Sequence, residues 1–543
     1  MRATTVGAAL EAASGGTPDG TFLRGDGGAI TFAGLDELAD RVATGLLARG
    51  VRHGDRIGLL GPNTPQWLAA FFGAARIGAV VVPLNVRYRG QELTYMLGQS
   101  GARAVIGVAE AGGFDFAAFF RQAREESLPG LRDLVFFGDG AAEEAGTAGG
   151  GTEGGGSFDE LAATAPDPQA LAAARAEVAP QDPLLVLYTS GTTGRPKGAV
   201  ITHRSILASA AAQAEHFGLG PDDVLLGHMP LNHVGGITCT VTAALVAGAS
   251  VALLPAFSPA AALRAVETHR VTVLPAVPTM YVLMLGHEDF ASRDVSSVRI
   301  CIAGGSNLEP ALAESVRRGF PRATLSNLYG LSESSGACVL SAADDAPETV
   351  ARTLGVVIGG FEARIVGPDG AVLPAGETGE LQIRGDCVAA GYWERPEETA
   401  EVFGADGWLA TGDMAEMEPD GHLVLRGRKK EMYIQGGFNV YPVEIENVLG
   451  AHPKVAMAAG IGVPDDVLGE VGRYYVVPAQ GTEPPTAEEL TGYCRERLAD
   501  YKVPRQFVIT ADVPLTPAGK IHKALLKERY LAALEEDGAA ASR

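Results

Sequence analysis

The sequence lacks clustered positive charge and long apolar runs, and each absence excludes a class of protein. Its 543 residues carry a formal net charge of -22, and its 43 lysines and arginines form no run longer than residues 428–430. A nucleic-acid binder needs a basic face, so that class is excluded and any anionic ligand must be held locally. No stretch approaches the roughly 20 apolar residues of a membrane span.

Cysteine is also scarce, and its spacing excludes a disulfide framework. The five cysteines are odd in number, widely scattered and never spaced as Cys-x-x-Cys, which disfavours a zinc site as well. The amino terminus has no uninterrupted apolar segment of the kind found in signal peptides. We therefore expect a cytoplasmic protein with reduced, mostly buried thiols at Cys239, Cys301, Cys338, Cys387 and Cys494.

Short apolar runs alternate with helix-length segments over the first part of the chain, to about residue 330. Runs such as "LLVLYTS" and "VRICIAGG" are continuously hydrophobic, which predicts strands buried on both faces in a doubly wound parallel sheet. Pro-Asp-Gly turns then separate shorter strands and predict a small antiparallel unit. A third unit begins after Gly427, and the chain length itself requires two or more domains.

The stretch "LYTSGTTGRPKGAVITH" at residues 187–203 places glycines, hydroxyl residues and a lysine between an apolar run and a helical pattern. Glycines let backbone N–H groups converge on an anion, and hydroxyl groups add donors, so the stretch predicts a phosphate-binding loop. It is not the GxxxxGK[ST] loop of P-loop NTPases, which has Gly where Pro196 stands and Ser or Thr where Gly198 stands. A glycine- and threonine-rich surface turn is the alternative interpretation.

This stretch resembles the signature phosphate loop of the adenylate-forming superfamily, which comprises acyl-CoA synthetases, aryl-CoA ligases, luciferases and nonribosomal adenylation domains. Further motifs follow in the order of that family, and the similarity covers nearly the whole chain, from residue 31 to residue 526. These motifs are "MPLNHVGG" (229–236), "AGGSNLEP" (303–310), "NLYGLSES" (327–334), "GYWERPEETAEVFGADGWLATGD" (391–413), "GRKKEMYIQGGFNVYPVEIE" (427–446) and "PLTPAGKIHK" (514–523).

The resemblance implies an α/β fold with two domains. A large N-terminal domain, residues 1–427, would combine doubly wound parallel sheets with a small antiparallel β-barrel. A hinge at 428–430 would connect it to a small mobile α+β C-terminal domain, residues 431–543. The glycine-rich insertion at 138–157 would be a flexible surface segment.

The resemblance also implies a two-step reaction. A carboxylate would attack the α-phosphorus of ATP and release pyrophosphate, and the thiol of CoA would then displace AMP from the acyl-adenylate. Negative charge accumulates on phosphate oxygens in the first step, so catalysis there depends on positioning and electrostatic stabilisation. ATP, Mg²⁺ and CoA are the implied cofactors, a carboxylic acid is the implied substrate, and a homodimer is the expected assembly.

Matching the motifs assigns a role to each residue around the phosphates. Glu333 would hold Mg²⁺, because this ion keeps its waters and needs few carboxylates when it shares the phosphates. Ser332 would contact the α-phosphate, and Lys520 would bridge that phosphate and the attacking carboxylate. The β- and γ-phosphates would be wrapped by Thr189, Ser190, Gly191, Thr192, Thr193, Gly194 and Lys197.

Other matched residues would bind the nucleoside. Asp413 would accept hydrogen bonds from the two ribose hydroxyls, and Arg428 would reach the same sugar. Tyr329 would stack on the adenine. The remaining cofactor-binding residues around the base would be Gly304, Gly305, Ser306, Asn327 and Gly330.

Four residues would serve the acid and the second step. His233 would gate the acyl site, although a structural histidine remains the alternative. Gly436 and Gly437 would let the pantetheine arm of CoA pass close to the backbone, whereas an ordinary hairpin turn would use the same glycines. Lys430 stands where the family places its hinge, and rotation of the small domain would remove Lys520 and bring the glycine loop in.

The candidate acid pocket is mainly small and apolar, which favours an acyl chain or a ring. It contains no lysine or arginine to pair with a second charge, so a medium-chain, aryl or alicyclic monocarboxylate is expected rather than a dicarboxylate. The positions are His233, Val277, Ala303, Gly304, Gly305, Asn327, Gly330, Leu331 and Gly336.

Four functions compete at this point. An AMP-forming acid–thiol ligase, with a place in fatty acid metabolism, is the leading prediction. The alternatives are an adenylating enzyme whose acceptor is a carrier protein or an amine, or which activates a small oxyacid such as nitrite in secondary metabolism, and a luciferase-like oxygenase. A non-enzymatic nucleotide-binding scaffold is disfavoured because Lys197, Glu333, Asp413, Arg428 and Lys520 are all present.

Overall fold

A computed structural model describes residues 3–138, 155–165, 167–189, 195–306, 308–465, 467–479, 481–515 and 521–541. Three sets of predictions lie outside these residues: the loop residues Ser190, Gly191, Thr192, Thr193 and Gly194, the lysine Lys520, and most of the insertion at 138–157. Within the described residues, no helix combines the length and the apolar character that crossing a membrane requires.

The larger of two mostly parallel sheets has nine strands. Its central strands pair in parallel, while the strand pairs at both edges are antiparallel. The parallel strands therefore end at one edge, where α/β folds bind ligands. In spatial order the strands are Val356–Val357, Gly336–Leu340, Thr324–Leu331, Ile300–Gly304, Val273–Ala276, Val224–Gly227, Ser250–Leu253, Thr21–Gly25 and Gly28–Thr31.

The second sheet has seven strands and shares an apolar core with the first. Ile57 and Val81 from this sheet and Leu225 and Val251 from the nine-stranded sheet belong to one cluster of buried residues. The continuously hydrophobic runs thus form strands covered on both faces, as predicted. In spatial order the strands are Lys197–Thr202, Pro183–Thr189, Val80–Leu84, Arg56–Leu60, Ala104–Val108, Asp133–Phe137 and Gly156–Ser157.

Antiparallel pairing dominates after residue 360, as the Pro-Asp-Gly turns predicted. Four strands pair in chain order, and a further mixed sheet follows in the C-terminal unit. The four strands are Glu362–Val366, Gly379–Arg384, Trp408–Met417 and Leu423–Arg428. The C-terminal strands are Tyr433–Gln435, Phe438–Val440, Val455–Asp465, Gly469–Pro478 and Gln506–Ile509, and a small hairpin elsewhere joins Glu110–Ala111 to Phe114–Asp115.

Helices cover the sheets, and many begin at a proline, which has no backbone N–H to leave unpaired. Before Pro65, for example, the Thr64 hydroxyl accepts a hydrogen bond from the Trp67 backbone N–H at 3.2 Å. The described helices before residue 428 are Val6–Gly16, Phe32–Ala48, Pro65–Arg76, Gly90–Ser100, Phe116–Glu126, Phe158–Ala162, Pro168–Glu177, His203–His216, Val234–Gly236, Ala243–Ala247, Pro259–His269, Pro278–Leu285, Pro310–Gly319, Pro347–Arg352 and Pro396–Val402. The others are Pro442–Gly450, Ala487–Arg495 and Lys523–Ala541, with a π-helix at Ile237–Thr242 and 3₁₀ turns at Phe290–Ser292 and Asp500–Lys502.

This architecture confirms the predicted α/β class, with parallel sheets, an antiparallel unit and an α+β region at the carboxyl end. The five cysteines are buried free thiols, as their spacing predicted. The domain limits at 427 and 431 remain predictions.

Candidate active site

The predicted phosphate loop is bracketed by two antiparallel strands. Thr189 ends one strand and lies opposite Lys197, which begins the next, and the Thr189 hydroxyl donates to the Lys197 carbonyl at 3.5 Å. A Cβ atom at Gly198 would meet the Val186 side chain at 2.4 Å, so glycine lets the second strand pair closely. The strands thus hold Thr189 and Lys197 side by side where the loop leaves and rejoins the sheet.

Tyr392 links the two sheets at this point. Its hydroxyl donates to the Glu333 carboxylate at 2.8 Å, and the Lys197 ammonium lies 5.2 Å from the centre of its ring. The backbone around Tyr392 reinforces the link, because Ala389 N–H donates to the Glu333 carbonyl and Trp393 N–H donates to the Gly198 carbonyl, each at 2.8 Å. Burial and the Glu333 charge raise the pKa of Tyr392, so its hydroxyl remains a donor.

A second hydrogen-bonded group lies on the neighbouring antiparallel unit. The Asp413 carboxylate accepts a hydrogen bond from the Tyr329 hydroxyl at 2.7 Å and pairs with Arg428 Nε at 2.9 Å. Asp413 is only 3% exposed, whereas Arg428 is 47% exposed at the surface of the site. Burial and the adjacent Asp413 raise the pKa of Tyr329 well above its usual value. Three residues predicted to bind the nucleoside therefore form one rigid group.

The turn between two paired strands carries Ser332 and Glu333. The Ser334 hydroxyl closes it by accepting from Leu331 N–H at 2.9 Å and donating to the Gly336 carbonyl at 2.8 Å. A Cβ atom at Gly330 would lie 2.0 Å from that same carbonyl oxygen. The strand pairing at this turn thus requires glycine at position 330, and it holds Ser332 and Glu333 just beyond the carboxyl end of the strand Thr324–Leu331.

His233 lies at the start of the short helix Val234–Gly236. Its Nδ1 atom accepts a hydrogen bond from Gly235 N–H at 3.0 Å, so the ring caps the helix. The preceding segment is clamped by Asn63, which donates to the Met229 carbonyl at 3.0 Å and accepts from Leu231 N–H at 3.1 Å. This cap gives His233 a structural role, and its predicted gating role stays a prediction.

The predicted lining of the base and of the acid pocket is only partly brought together. Gly304 is the last residue of a parallel strand, Gly305 and Ser306 follow it, and Val277 follows the end of the neighbouring strand. Asn327 is buried, and its amide donates to the Thr353 carbonyl at 2.8 Å. That bond engages the Asn327 side chain with the protein itself. The further lining positions Ala303, Leu331 and Gly336 lie at or beside the ends of adjacent strands.

In the C-terminal unit the two predicted tunnel glycines form the tip of a hairpin. Gly436 and Gly437 have φ values of 60° and 87°, which glycine adopts without strain. The hairpin turn that was the alternative interpretation is therefore present, and passage of CoA stays a prediction. Lys430 is exposed two residues after Arg428, and Lys523 pairs with Glu431, the next residue, at 2.7 Å.

Residues 10–393 match the family described as AMP-binding enzyme, and residues 444–520 match the AMP-binding enzyme C-terminal domain. The chain belongs to this family of AMP-binding enzymes. That assignment confirms the resemblance to the adenylate-forming superfamily.

Several named proteins resemble this AMP-binding enzyme over nearly their full length. A 3-[(3aS,4S,7aS)-7a-methyl-1,5-dioxo-octahydro-1H-inden-4-yl]propanoyl:CoA ligase of Mycobacterium tuberculosis is 38% identical, with 96% of this chain and 98% of the relative covered. A feruloyl-CoA synthase of Amycolatopsis is 37% identical, with 95% and 96% covered. The crystal structure of an anthranilate CoA ligase in complex with anthranoyl-AMP superposes with a TM-score of 0.86 at 27% identity, with 98% of both chains covered.

These relatives confirm the predicted class of enzyme, an AMP-forming acid–thiol ligase that activates an acid with ATP and transfers it to CoA. They do not favour the alternative acceptors. ATP and CoA follow from the family, whereas the residue roles stay predictions.

Sequence reasoning missed two residues of this AMP-binding enzyme that hold the site together. Tyr392 stands inside a quoted motif, "GYWERP", so the motif itself was a signal. Asn63 stands in "GPNTPQW" and is 166 positions from Met229, so no local pattern connects the two.

Proposed function

We propose that this protein activates a medium-chain, aryl or alicyclic monocarboxylic acid as its acyl-adenylate, and then transfers the acyl group to CoA. The observation that carries the proposal is the group formed by Tyr329, Asp413 and Arg428 beside the Glu333 turn. A carboxylate has about four lone-pair sites, so Asp413 can keep both protein partners and still accept from ribose hydroxyls. The protein contacts fix its orientation in advance.

Magnesium fits the residues at the Glu333 turn. Tyr392 bonds one oxygen of the Glu333 carboxylate, and among the described residues no donor bonds the other. A single carboxylate suits Mg²⁺, which binds phosphates and retains waters. Bound Mg²⁺ would neutralise charge on the triphosphate, while Tyr392 would orient the carboxylate and Lys197 would add a positive charge beside it.

The acid would lie between His233 and the turn at Ser332. Support for a ring-bearing acid comes from the names of the relatives, which specify a fused-ring propanoyl group, a feruloyl group and anthranilate. The absence of lysine and arginine among the predicted pocket positions favours a single carboxylate. Cytoplasmic location, homodimer assembly and a place in fatty acid metabolism remain predictions of the sequence.

Pyrophosphate release with a panel of acids, with and without CoA, tests the proposal. We expect release that depends on both Mg²⁺ and an acid, and thioester formation only when CoA is added. Glu333→Gln should lower acid-dependent release by about 100-fold, because charge stabilisation at a reacting phosphate has effects of this size. Normal turnover in that variant would remove Glu333 from the metal site.

The two-step mechanism requires the small domain to rotate about Lys430. Lys520→Ala should lose acid-dependent pyrophosphate release yet still convert a supplied acyl-adenylate and CoA to thioester. Lys430→Pro should show the opposite pattern, because proline fixes φ and restricts the preceding residue. Equal loss of both half-reactions in each variant, with an unchanged melting curve, would contradict the rotation.

A further inference from the structure

Three buried polar atoms beside the candidate site have no hydrogen-bond partner among the described residues. They are Gln213 Oε1, Thr238 Oγ1 and Ser335 Oγ, and each of these residues has 0% of its surface exposed. Leaving a buried polar atom unpaired is costly, so native proteins rarely do so without a reason. Three such atoms in one region indicate that something else completes their hydrogen bonds.

The three residues come from different elements that meet at one place. Gln213 Nε2 donates to the Cys239 carbonyl at 2.6 Å, which places the Gln213 amide against the residue after Thr238. A Cβ atom built on Gly336 would lie 2.9 Å from Thr238 Cγ2 and 3.2 Å from Cys239 Sγ. Ser335 directly precedes Gly336. A helix, the π-helix and the Glu333 turn therefore converge around Cys239.

This place is where the tail of a bound acid would extend. The helix capped by His233 continues into the π-helix that carries Thr238. Ser335 ends the turn that carries Ser332 and Glu333. An acid whose carboxylate meets the α-phosphate near Ser332, as the proposed function requires, would extend its tail between these two elements.

Other hydroxyls in these elements are paired, in contrast to the three. The Thr240 hydroxyl donates to the Gly235 carbonyl at 2.8 Å, and the Thr242 hydroxyl donates to the Ile237 carbonyl at 2.7 Å. Both bonds reach five residues back and match the wider spacing of a π-helix, which often marks a functional site. The Ser209 hydroxyl likewise donates to the Ala337 carbonyl at 2.9 Å.

The backbone on the opposite side of this place is also unusual. Ser335 has a φ of 56°, in the left-handed region that non-glycine residues seldom adopt. Strain of this kind persists where the surrounding structure fixes it, and it clusters at functional sites. Ser335 is also fully buried, so its hydroxyl lies in the interior of the protein.

We propose that Gln213, Thr238 and Ser335 form a polar subsite for a hydroxyl or oxo group on the ring of the acid. The Gln213 amide nitrogen is engaged by the Cys239 carbonyl, so its oxygen remains as an acceptor for a hydroxyl. The Thr238 and Ser335 hydroxyls can donate to either a hydroxyl or a ketone oxygen. This subsite rests on the proposed function and narrows its substrate class to oxygenated ring acids.

Matched pairs of acids test the subsite. The probes are 3-cyclohexylpropanoate and 3-phenylpropanoate, each compared with the derivatives that carry an oxo or hydroxyl group at successive ring positions. We expect the wild type to favour the best oxygenated isomer by at least about tenfold in kcat/KM for pyrophosphate release, because the plain ring leaves the three groups unpaired.

Two threonine variants in the same π-helix provide the decisive control. Thr238→Val should reduce that preference by about tenfold, since it removes an unpaired donor of the subsite. Thr240→Val removes an equally buried hydroxyl that is already paired, so it should leave the preference unchanged.

Three results would overturn the subsite. The first is a wild-type kcat/KM ratio near one between oxygenated and plain acids, which would mean that the three atoms bond buried water only. The second is an equal change of preference in both variants, and the third is a preference for the plain rings. If no acid supports pyrophosphate release from ATP, the proposed function is contradicted, and the subsite that rests on it is contradicted as well.

Discussion

The two walls of the candidate site differ in how their polar groups are satisfied. We call the group of Tyr329, Asp413, Arg428, Glu333 and Tyr392 the nucleotide wall, and Gln213, Thr238 and Ser335 the acyl wall. In the nucleotide wall, tyrosine hydroxyls and an arginine pair with both carboxylates before any ligand binds. In the acyl wall, three fully buried polar atoms have no partner among the described residues.

Under the two proposals made above, this difference separates the part of the site that stabilises the reacting phosphate from the part that selects the acid. Preorganised charges and hydrogen bonds stabilise a reacting phosphate best when they need not rearrange. Unpaired groups discriminate between substrates instead, because a ligand that cannot form hydrogen bonds with them leaves buried polar atoms unsatisfied, which is unfavourable in free energy. Substitutions in the two walls should therefore have separable effects.

The largest expected effect comes from the centre of the nucleotide wall. Asp413→Asn removes the charge that holds Arg428 and accepts from Tyr329, and we expect a loss of about 10²–10³-fold in acid-dependent pyrophosphate release. Asp406→Asn, at an exposed aspartate of the same antiparallel unit, is the control and should stay near wild type. A loss below about threefold in Asp413→Asn would show that this wall is not prearranged for the nucleotide.

A smaller effect is expected at the link between the two sheets. Tyr392→Phe removes the hydroxyl that orients the Glu333 carboxylate, so we expect about a tenfold fall in kcat/KM. The same variant should need more Mg²⁺ for half-maximal activity, which a magnesium titration measures. An unchanged magnesium requirement would indicate that Tyr392 only packs against Glu333.

The absence of partners for the acyl-wall hydroxyls should also affect the melting temperature of variants. Thr240→Val breaks the bond to the Gly235 carbonyl and should lower the melting temperature by about 1–3 °C. Thr238→Val removes a hydroxyl without a partner, so its melting temperature should equal or exceed that of the wild type. Equal destabilisation in differential scanning fluorimetry would mean that both hydroxyls are paired inside the protein.

The smallest expected effect lies at a contact between the large and small units, where like charges meet. Glu309 packs against Gly450, and burial together with the charge of Glu446 raises its pKa to about 7 from an ordinary value of 4.5. Glu446 itself pairs with Lys523 at 2.8 Å. The folded state therefore binds the Glu309 proton more tightly, and stability falls as pH rises from 4.5 through 7.

Glu309→Gln removes that dependence. Its melting temperature should match that of the wild type near pH 4.5 and exceed it by about 1 °C at pH 8. Glu314→Gln, at an exposed position of the same helix, is the control. An identical pH profile for the Glu309 variant and the wild type would contradict the raised pKa.

Much of the fold followed from local patterns in the sequence. Continuous hydrophobicity in runs such as residues 300–304 predicted parallel strands buried on both faces, and the Pro-Asp-Gly turns predicted the antiparallel unit. The ordered motifs placed Tyr329, Asp413 and Arg428 in one site. They did not predict that the Tyr329 hydroxyl bonds Asp413, since the prediction gave that ring only a stacking role.

The contacts that local patterns could not predict are long-range ones. Gln213 meets Cys239 across 26 positions, and the intervening strand and turn carry no signal of the encounter. The sequence described the acid pocket by its small apolar residues and left Thr238 out, because a threonine inside a helical segment resembles any other. Only the packing of three elements shows that its hydroxyl has no partner.

The separation of the two walls is tested most directly by one ratio, the kcat/KM for an oxygenated acid divided by that for its plain counterpart. This ratio is measured in the wild type, in Asp413→Asn and in Thr238→Val. The account predicts that Asp413→Asn slows both acids alike and keeps the ratio within about twofold of the wild type, because among the described residues no hydrogen bond joins Asp413 to the acyl wall. It predicts that Thr238→Val lowers the ratio by about tenfold. A ratio that shifts in Asp413→Asn, or one that stays constant in Thr238→Val, would contradict it.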